Sequence, residues 1–333
     1  MRSSTPRRST WSGSRRRHPA RSSPRRRHAS SPASRKHWRS LRNRACSPSA
    51  ISSDTEPLRP GNPNRMPRYR IQVAYEGTDF HGWQKQESPE KGSLRTAQGV
   101  LEKAVQRTVG EPVLVNGASR TDSGVHAVGQ VAAFTSMNEI PVDRLPMALT
   151  SRLPDDIQVA RAWAVQESFD PISDCVKKGY SYTINHGMPP DCWPPLFDRR
   201  TVYHTPHRLE LEPMQEAASR LVGRNDFAGF ANTNHGREST IRTIVDCRVH
   251  QAGAHRMRID VAGDGFLYHM VRIIAGTLLE IGRGHRQPAL IDQLLATPDR
   301  SLAGQTLPPE GLCLRWIEYP DACCGIPFAF EET

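Results

Sequence analysis

From Arg68 onward, apolar side chains fall at every second position: Tyr69, Ile71, Val73 and Tyr75 alternate with polar or small residues. That period predicts a strand with one buried face. A turn-rich stretch follows, Glu76-Gly-Thr-Asp-Phe-His-Gly-Trp83, and then the spacing becomes helical. Ala97, Val100, Leu101, Ala104, Val105, Thr108 and Val109 share one face, with Thr96 placed to cap the helix. Val113 to Asn116 and Gln130 to Phe134 are predicted strands, and Pro141 suits the first turn of a helix carrying Leu145, Ala148 and Leu149.

The second half repeats this grammar loosely. Tyr180, Tyr182 and Ile184 alternate as a strand, and Pro213 opens a helix through Met214, Ala217, Ala218 and Leu221. Strands follow over Ile244 to Val249 and at Met257, Ile259 and Val261. Leu267, Met270, Val271, Ile274, Leu278 and Ile281 mark a long buried helix that stops near Gly282 and Gly284, before a last strand over Leu312 to Ile317. Strands and helices without regular βαβ alternation predict an α+β fold, with helices packed on a mainly antiparallel sheet. A proline-interrupted segment (Pro189, Pro190, Pro194, Pro195) separates two similar halves, 66–190 and 191–320, with 321–333 as a tail.

Residues 1–65 follow neither period. They hold 16 Arg and one Lys against Asp54 and Glu56, a net +15, so the whole-chain value of +11 leaves −4 for residues 66–333. The basic balance belongs to this Ser/Pro/Arg-rich extension, which has too few apolar groups to offset its ordering entropy and is expected to be disordered. A transit peptide would carry an amphipathic face, which Trp11, Trp38 and Leu41 are too scattered to make. A basic arm that raises RNA affinity and a dispensable extension ahead of Met66 are the other readings; the second is expected.

Seven cysteines (46, 175, 192, 247, 313, 323 and 324) are an odd number without Cys-x-x-Cys pairs. Neither a disulfide framework nor a structural metal is expected, and a reducing, cytoplasmic compartment fits best. No run approaches the roughly 18 apolar residues of a membrane helix.

One segment concentrates polar chemistry between two apolar strands: Gly117-Ala-Ser-Arg-Thr-Asp-Ser-Gly-Val-His126. A tight turn, with Asp122 bonded to its own backbone and Gly124 at positive φ, would account for the spacing. Arg120 and His126 are more than a hairpin tip needs, and the strand from Val125 to Phe134 would anchor the loop on a rigid scaffold.

That segment resembles the signature of the TruA family of tRNA pseudouridine synthases. Other blocks resemble the family in the same order: Tyr75-Glu-Gly-Thr-Asp-Phe-His-Gly-Trp-Gln84, Arg95-Thr-Ala-Gln98, Ser151-Arg-Leu-Pro-Asp-Asp-Ile157, Gly223-Arg-Asn-Asp-Phe227, Arg242-Thr-Ile244, Phe266-Leu-Tyr-His-Met-Val-Arg272 and Gly311-Leu-Cys-Leu314. The resemblance implies two similar α+β halves with a central sheet-lined cleft, and a homodimer. It also implies an isomerase (an intramolecular transferase) that converts uridine to pseudouridine at positions 38, 39 and 40 of the tRNA anticodon stem-loop. No metal, small-molecule cofactor or membrane is implied.

By the same resemblance Asp122 is the catalytic carboxylate and nucleophile, Arg272 its basic partner, and Tyr180 the tyrosine that contacts the target uridine. The neighbourhood of Arg120 helps open the RNA stem, since a stacked base must leave the helix to be reached. Taken alone, Arg272 reads equally as a surface arginine and Tyr180 as a core aromatic, as Tyr182 is expected to be. His126, Tyr268 and His269 are expected to be structural or RNA-facing. The chain departs from the family at Phe169-Asp-Pro-Ile172, where the pattern is Phe-His-Ala-Arg, so its RNA footprint near that loop is expected to differ. Because residues 66–333 are net acidic, RNA affinity needs local basic patches; the candidates are Lys177 with Lys178, Arg199 with Arg200, and Arg283 with Arg286.

Overall fold

The alternation that begins at Tyr69 becomes strand β1, Arg68–Tyr75, in a computed structural model that describes residues 66–88, 92–189, 196–232 and 238–320. These residues lie in one unit, Gly61–Thr333. The expected disorder of 1–65, most of the proline-interrupted segment, and Cys323 and Cys324 fall outside the described residues.

Along the chain follow a small ladder of β2 (Glu87–Ser88) and β3 (Gly92–Ser93), helix α1 (Ala97–Val109), β4 (Asn116–Gly117), β5 (His126–Thr135), α2 (Leu145–Thr150), β6 (Ile157–Val165) and β7 (Lys177–His186). Then come β8 (Tyr203–Thr205), α3 (Leu211–Arg220), β9 (Gly223–Asp226), β10 (Ile241–Gly253), β11 (Arg256–Gly263), α4 (Met270–Gly282), α5 (Leu290–Ala296) and β12 (Leu312–Glu318). The main sheet runs β6-β1-β5-β12-β7-β11-β10-β9, with β4 beside β5 and β8 beside β7. Its pairings are antiparallel except β12 on β5 and β8 on β7. The fold is α+β, as the period changes predict. No helix among the described residues is long and apolar enough to cross a membrane.

The alternation decides which face is covered. Ile259 of β11 lies opposite Tyr182 of β7, which lies opposite Leu312 of β12; one rung on, Val261, Tyr180 and Leu314 align. These residues join Tyr69, Ile71 and Val73 and the apolar stripes of α1, α3 and α4 in one core. Full burial of each large aliphatic or aromatic side chain there contributes roughly 1.5–3 kcal/mol. Thr96 caps α1, its Oγ1 accepting from Gly99 N–H at 3.3 Å.

Helix α2 begins at Leu145, so Pro141 lies ahead of it rather than in its first turn, and two further elements differ from expectation for identifiable reasons. Val113 to Val115 is not a strand. Side chains of α1 satisfy its backbone instead: Gln106 donates to Val113 O (3.0 Å), Gln98 to Val115 O (2.7 Å), and Glu102 accepts from Val115 N–H (3.2 Å). The helix expected from Leu267 begins only at Met270, because His269 takes φ 63, a left-handed conformation that cannot continue a right-handed helix.

Candidate active site

The segment from Ala118 to Val125 is a loop whose backbone is tied down on two sides. Gln130 of β5 accepts from Ser119 N–H (3.1 Å) and donates to Ser119 O (2.6 Å), acting as a rung where the strand pairing ends. Opposite it, the turn after β1 forms a bed. Trp83 N–H donates to Thr121 O (3.0 Å), Gly124 N–H to Phe80 O (3.2 Å), and the Tyr75 and Thr121 hydroxyls meet at 2.8 Å. The bed and the loop approach so closely that two glycines are required. A β-carbon on Gly77 would lie 2.0 Å from Val125 O, and one on Gly82, at φ 83, would lie 2.8 Å from Thr121 O. His126 belongs to this scaffold: its Nδ1 accepts from Gly77 N–H at 2.9 Å, and burial lowers its pKa below the ordinary imidazole value.

Asp122 occupies the tip of the loop, with 22% of its side chain exposed. Val125 N–H closes the turn onto Asp122 O at 3.2 Å. The turn expected from spacing is therefore present, but the carboxylate itself does not close it. Arg272, from the first turn of α4, places Nη1 3.4 Å from Asp122 Oδ2 while its Nε donates to Leu307 O at 2.7 Å. That second bond fixes the guanidinium plane. His269 Nε2 lies 3.5 Å from the same Oδ2. Among the described residues, no hydrogen bond reaches Oδ1.

Tyr180 stands beside this pair. Its hydroxyl meets Ser119 Oγ at 2.9 Å, in the loop that carries Asp122, and its ring packs edge-on against Phe266 with centroids 5.3 Å apart. Burial pushes the phenol pKa well above its ordinary value, the Ser119 hydrogen bond opposes that, and the Asp122 charge adds to it. The structure thus brings Asp122, Arg272 and Tyr180 together from three distant parts of the sequence. Arg120 is exposed, and no hydrogen bond or ion pair among the described residues engages it.

Sequence reasoning left His269 outside the acid–base set, yet it contacts the carboxylate. Helical spacing gave no signal for it, because His269 lies just ahead of α4 in a left-handed conformation. Asn232, which sequence reasoning did not single out, approaches His269 Nδ1 with Nδ2 at 2.7 Å. The departing segment folds on itself: Asp170 accepts from Ile172 N–H (2.9 Å) and Ser173 N–H (2.7 Å), and Tyr319 donates its hydroxyl to Pro171 O (2.8 Å). Several candidate cations are already paired. Lys177 meets Glu318 at 3.1 Å, Arg286 meets Glu280 at 3.2 Å, and Arg200 binds both Glu76 and Asp79.

Two cavities among the described residues, of about 360 and 450 Å³, are lined without Asp122. A carboxylate on an accessible loop, fixed by a half-buried arginine beside a neutral phenol, suits a large substrate that brings one reacting unit to it. A family model described as tRNA pseudouridine synthase matches residues 71–172 and 217–320, which include Asp122, Arg120 and Arg272. Those matches define the class as isomerases of tRNA uridine. The tRNA pseudouridine synthase A of Syntrophomonas wolfei is 41% identical over 256 residues, 77% of this chain and 99% of that protein. Those of Acetivibrio thermocellus and a Thermoanaerobacter species are 39% and 40% identical, each covering 76% of this chain and 100% of theirs. The chain belongs to the tRNA pseudouridine synthase A family, which isomerises uridine to pseudouridine in tRNA.

Proposed function

We propose that the chain isomerises uridines 38, 39 and 40 of the anticodon stem-loop, with Asp122 as the essential nucleophile. The observation that supports this reading is the convergence on the Asp122 loop of Arg272 at 3.4 Å and of Tyr180 through Ser119 at 2.9 Å. The reaction breaks the bond from ribose C1′ to uracil N1, turns the ring, joins C1′ to C5 and releases the C5 proton to solvent. It is redox-neutral and calls for neither metal nor cofactor. Asp122 assists by attacking the sugar, by attacking the ring at C6, or by stabilising positive charge as the glycosidic bond breaks; the first and third roles parallel those of glycosidase carboxylates.

In each route Arg272 fixes the direction of the carboxylate. Tyr180 contacts the target uridine, offering a hydroxyl kept protonated for proton transfer. Arg120, exposed two residues before Asp122, is placed to enter the opened stem as the target base leaves its stack. The protein acts as a cytoplasmic homodimer in this reading. Tritium release from tRNA labelled at uridine C5 tests it: wild type releases label, and Asp122→Asn lowers the rate by at least about 1,000-fold, the scale on which loss of a nucleophile acts. Turnover by the asparagine variant at the wild-type rate would remove Asp122 from the chemistry.

A further inference from the structure

We infer that His269 is a positioning residue for Asp122: its Nε2–H holds the carboxylate oxygen Oδ2, and Asn232 sets the tautomer that makes this possible. The inference rests on the function proposed above and adds two residues to its machinery. An ionised carboxylate only accepts hydrogen bonds, so the imidazole nitrogen facing it carries the hydrogen. In a neutral ring the other nitrogen then accepts, and Asn232 Nδ2 stands 2.7 Å from Nδ1, with a hydrogen to give. Burial favours the neutral ring by lowering the His269 pKa; Asp122 opposes that shift, while Arg272 and Arg300 add to it.

Three further observations show a ring held in place. Asn232 donates its backbone N–H to Tyr268 O at 3.4 Å, so one residue grips both the peptide before His269 and its side chain. Tyr268 stacks on the imidazole with centroids 3.7 Å apart and planes 26° from parallel. His269 is also the one non-glycine at positive φ among the described residues. A left-handed backbone is strained for an L-residue and not for glycine, so the imidazole occupies a place where a side chain is disfavoured. The consequence is directional. Arg272 and His269 both approach Oδ2, which leaves Oδ1 to face the substrate.

The test uses the full chain, single-turnover tritium release from C5-labelled tRNA, and filter binding for tRNA affinity. His269→Asn tolerates the left-handed backbone, but its shorter amide stops short of Asp122. The rate of the chemical step is expected to fall about 100-fold, the cost of a misplaced reacting group, with tRNA affinity unchanged. His269→Gln restores an N–H at longer reach and should recover most of the rate, and Asn232→Ala should lower it. A wild-type rate in His269→Asn, equal loss in the Asn and Gln variants, or a loss confined to affinity overturns the inference. A wild-type protein that releases no tritium rejects the proposed function instead, so the two failures are distinguishable.

Discussion

The hydroxyl of Tyr180 makes a structural bond and is proposed to serve the substrate as well. It braces Ser119 within the Asp122 loop, and burial keeps it protonated where the substrate uridine is proposed to lie. Tyr180→Phe removes the hydroxyl and leaves the ring against Phe266. Loss of one hydrogen bond is worth about 1 kcal/mol of stability in urea unfolding, whereas loss of a proton-transfer group should lower kcat by about 100-fold. A variant with wild-type kcat and reduced stability would leave Tyr180 a brace only. Two positions along the strand, Tyr182 is fully buried and donates to Pro308 O at 2.7 Å, the core role its spacing predicts. Alternation assigned both tyrosines to one buried face, and the family resemblance separated their roles. His269 escaped both signals, because its meeting with Asp122 joins residues far apart in sequence and depends on one left-handed dihedral.

At the level of elements, the site depends on how a turn and a loop nest. Gly77→Ala forces its β-carbon against Val125 O, and the loop must shift to relieve it. Overpacking of this kind costs about 1–3 kcal/mol, and the displaced Asp122 should lose about 100-fold in turnover. Thermal unfolding together with tritium release checks both; wild-type values in each would show that the bed does not position the loop. Helix α1 was legible to its end residues because a full apolar stripe and the Thr96 cap agree. Strand β6 was not, since Ala160, Ala162 and Ala164 give little contrast against Arg161 and Trp163. Pairing order was not legible either. Nothing local to Leu312–Glu318 announces that β12 lies between β5 and β7.

At the scale of the whole chain, charge and resemblance divide the protein in the same place. The family match begins at residue 71, and relatives are covered over 99–100% of their length by about three quarters of this chain. The +15 of residues 1–65 stands outside that match. A chain that starts at Met66 is therefore expected to keep kcat within about twofold of the full chain, because a segment this poor in apolar groups contributes little to a packed fold. Tritium release on both chains measures this, and a large drop on truncation would assign the basic extension a part in tRNA handling.

Strand β12 closes the sheet from the far end of the chain. It lies parallel to β5, which leads out of the Asp122 loop, and antiparallel to β7, which carries Tyr180. Without it the strands form two separate ladders, one bearing the acid and the other the phenol. During synthesis, then, the ribosome releases nearly the whole folded body before the last seam can be sewn. A chain stopped short of Leu312 would lack the one strand, among the described residues, that pairs with both ladders.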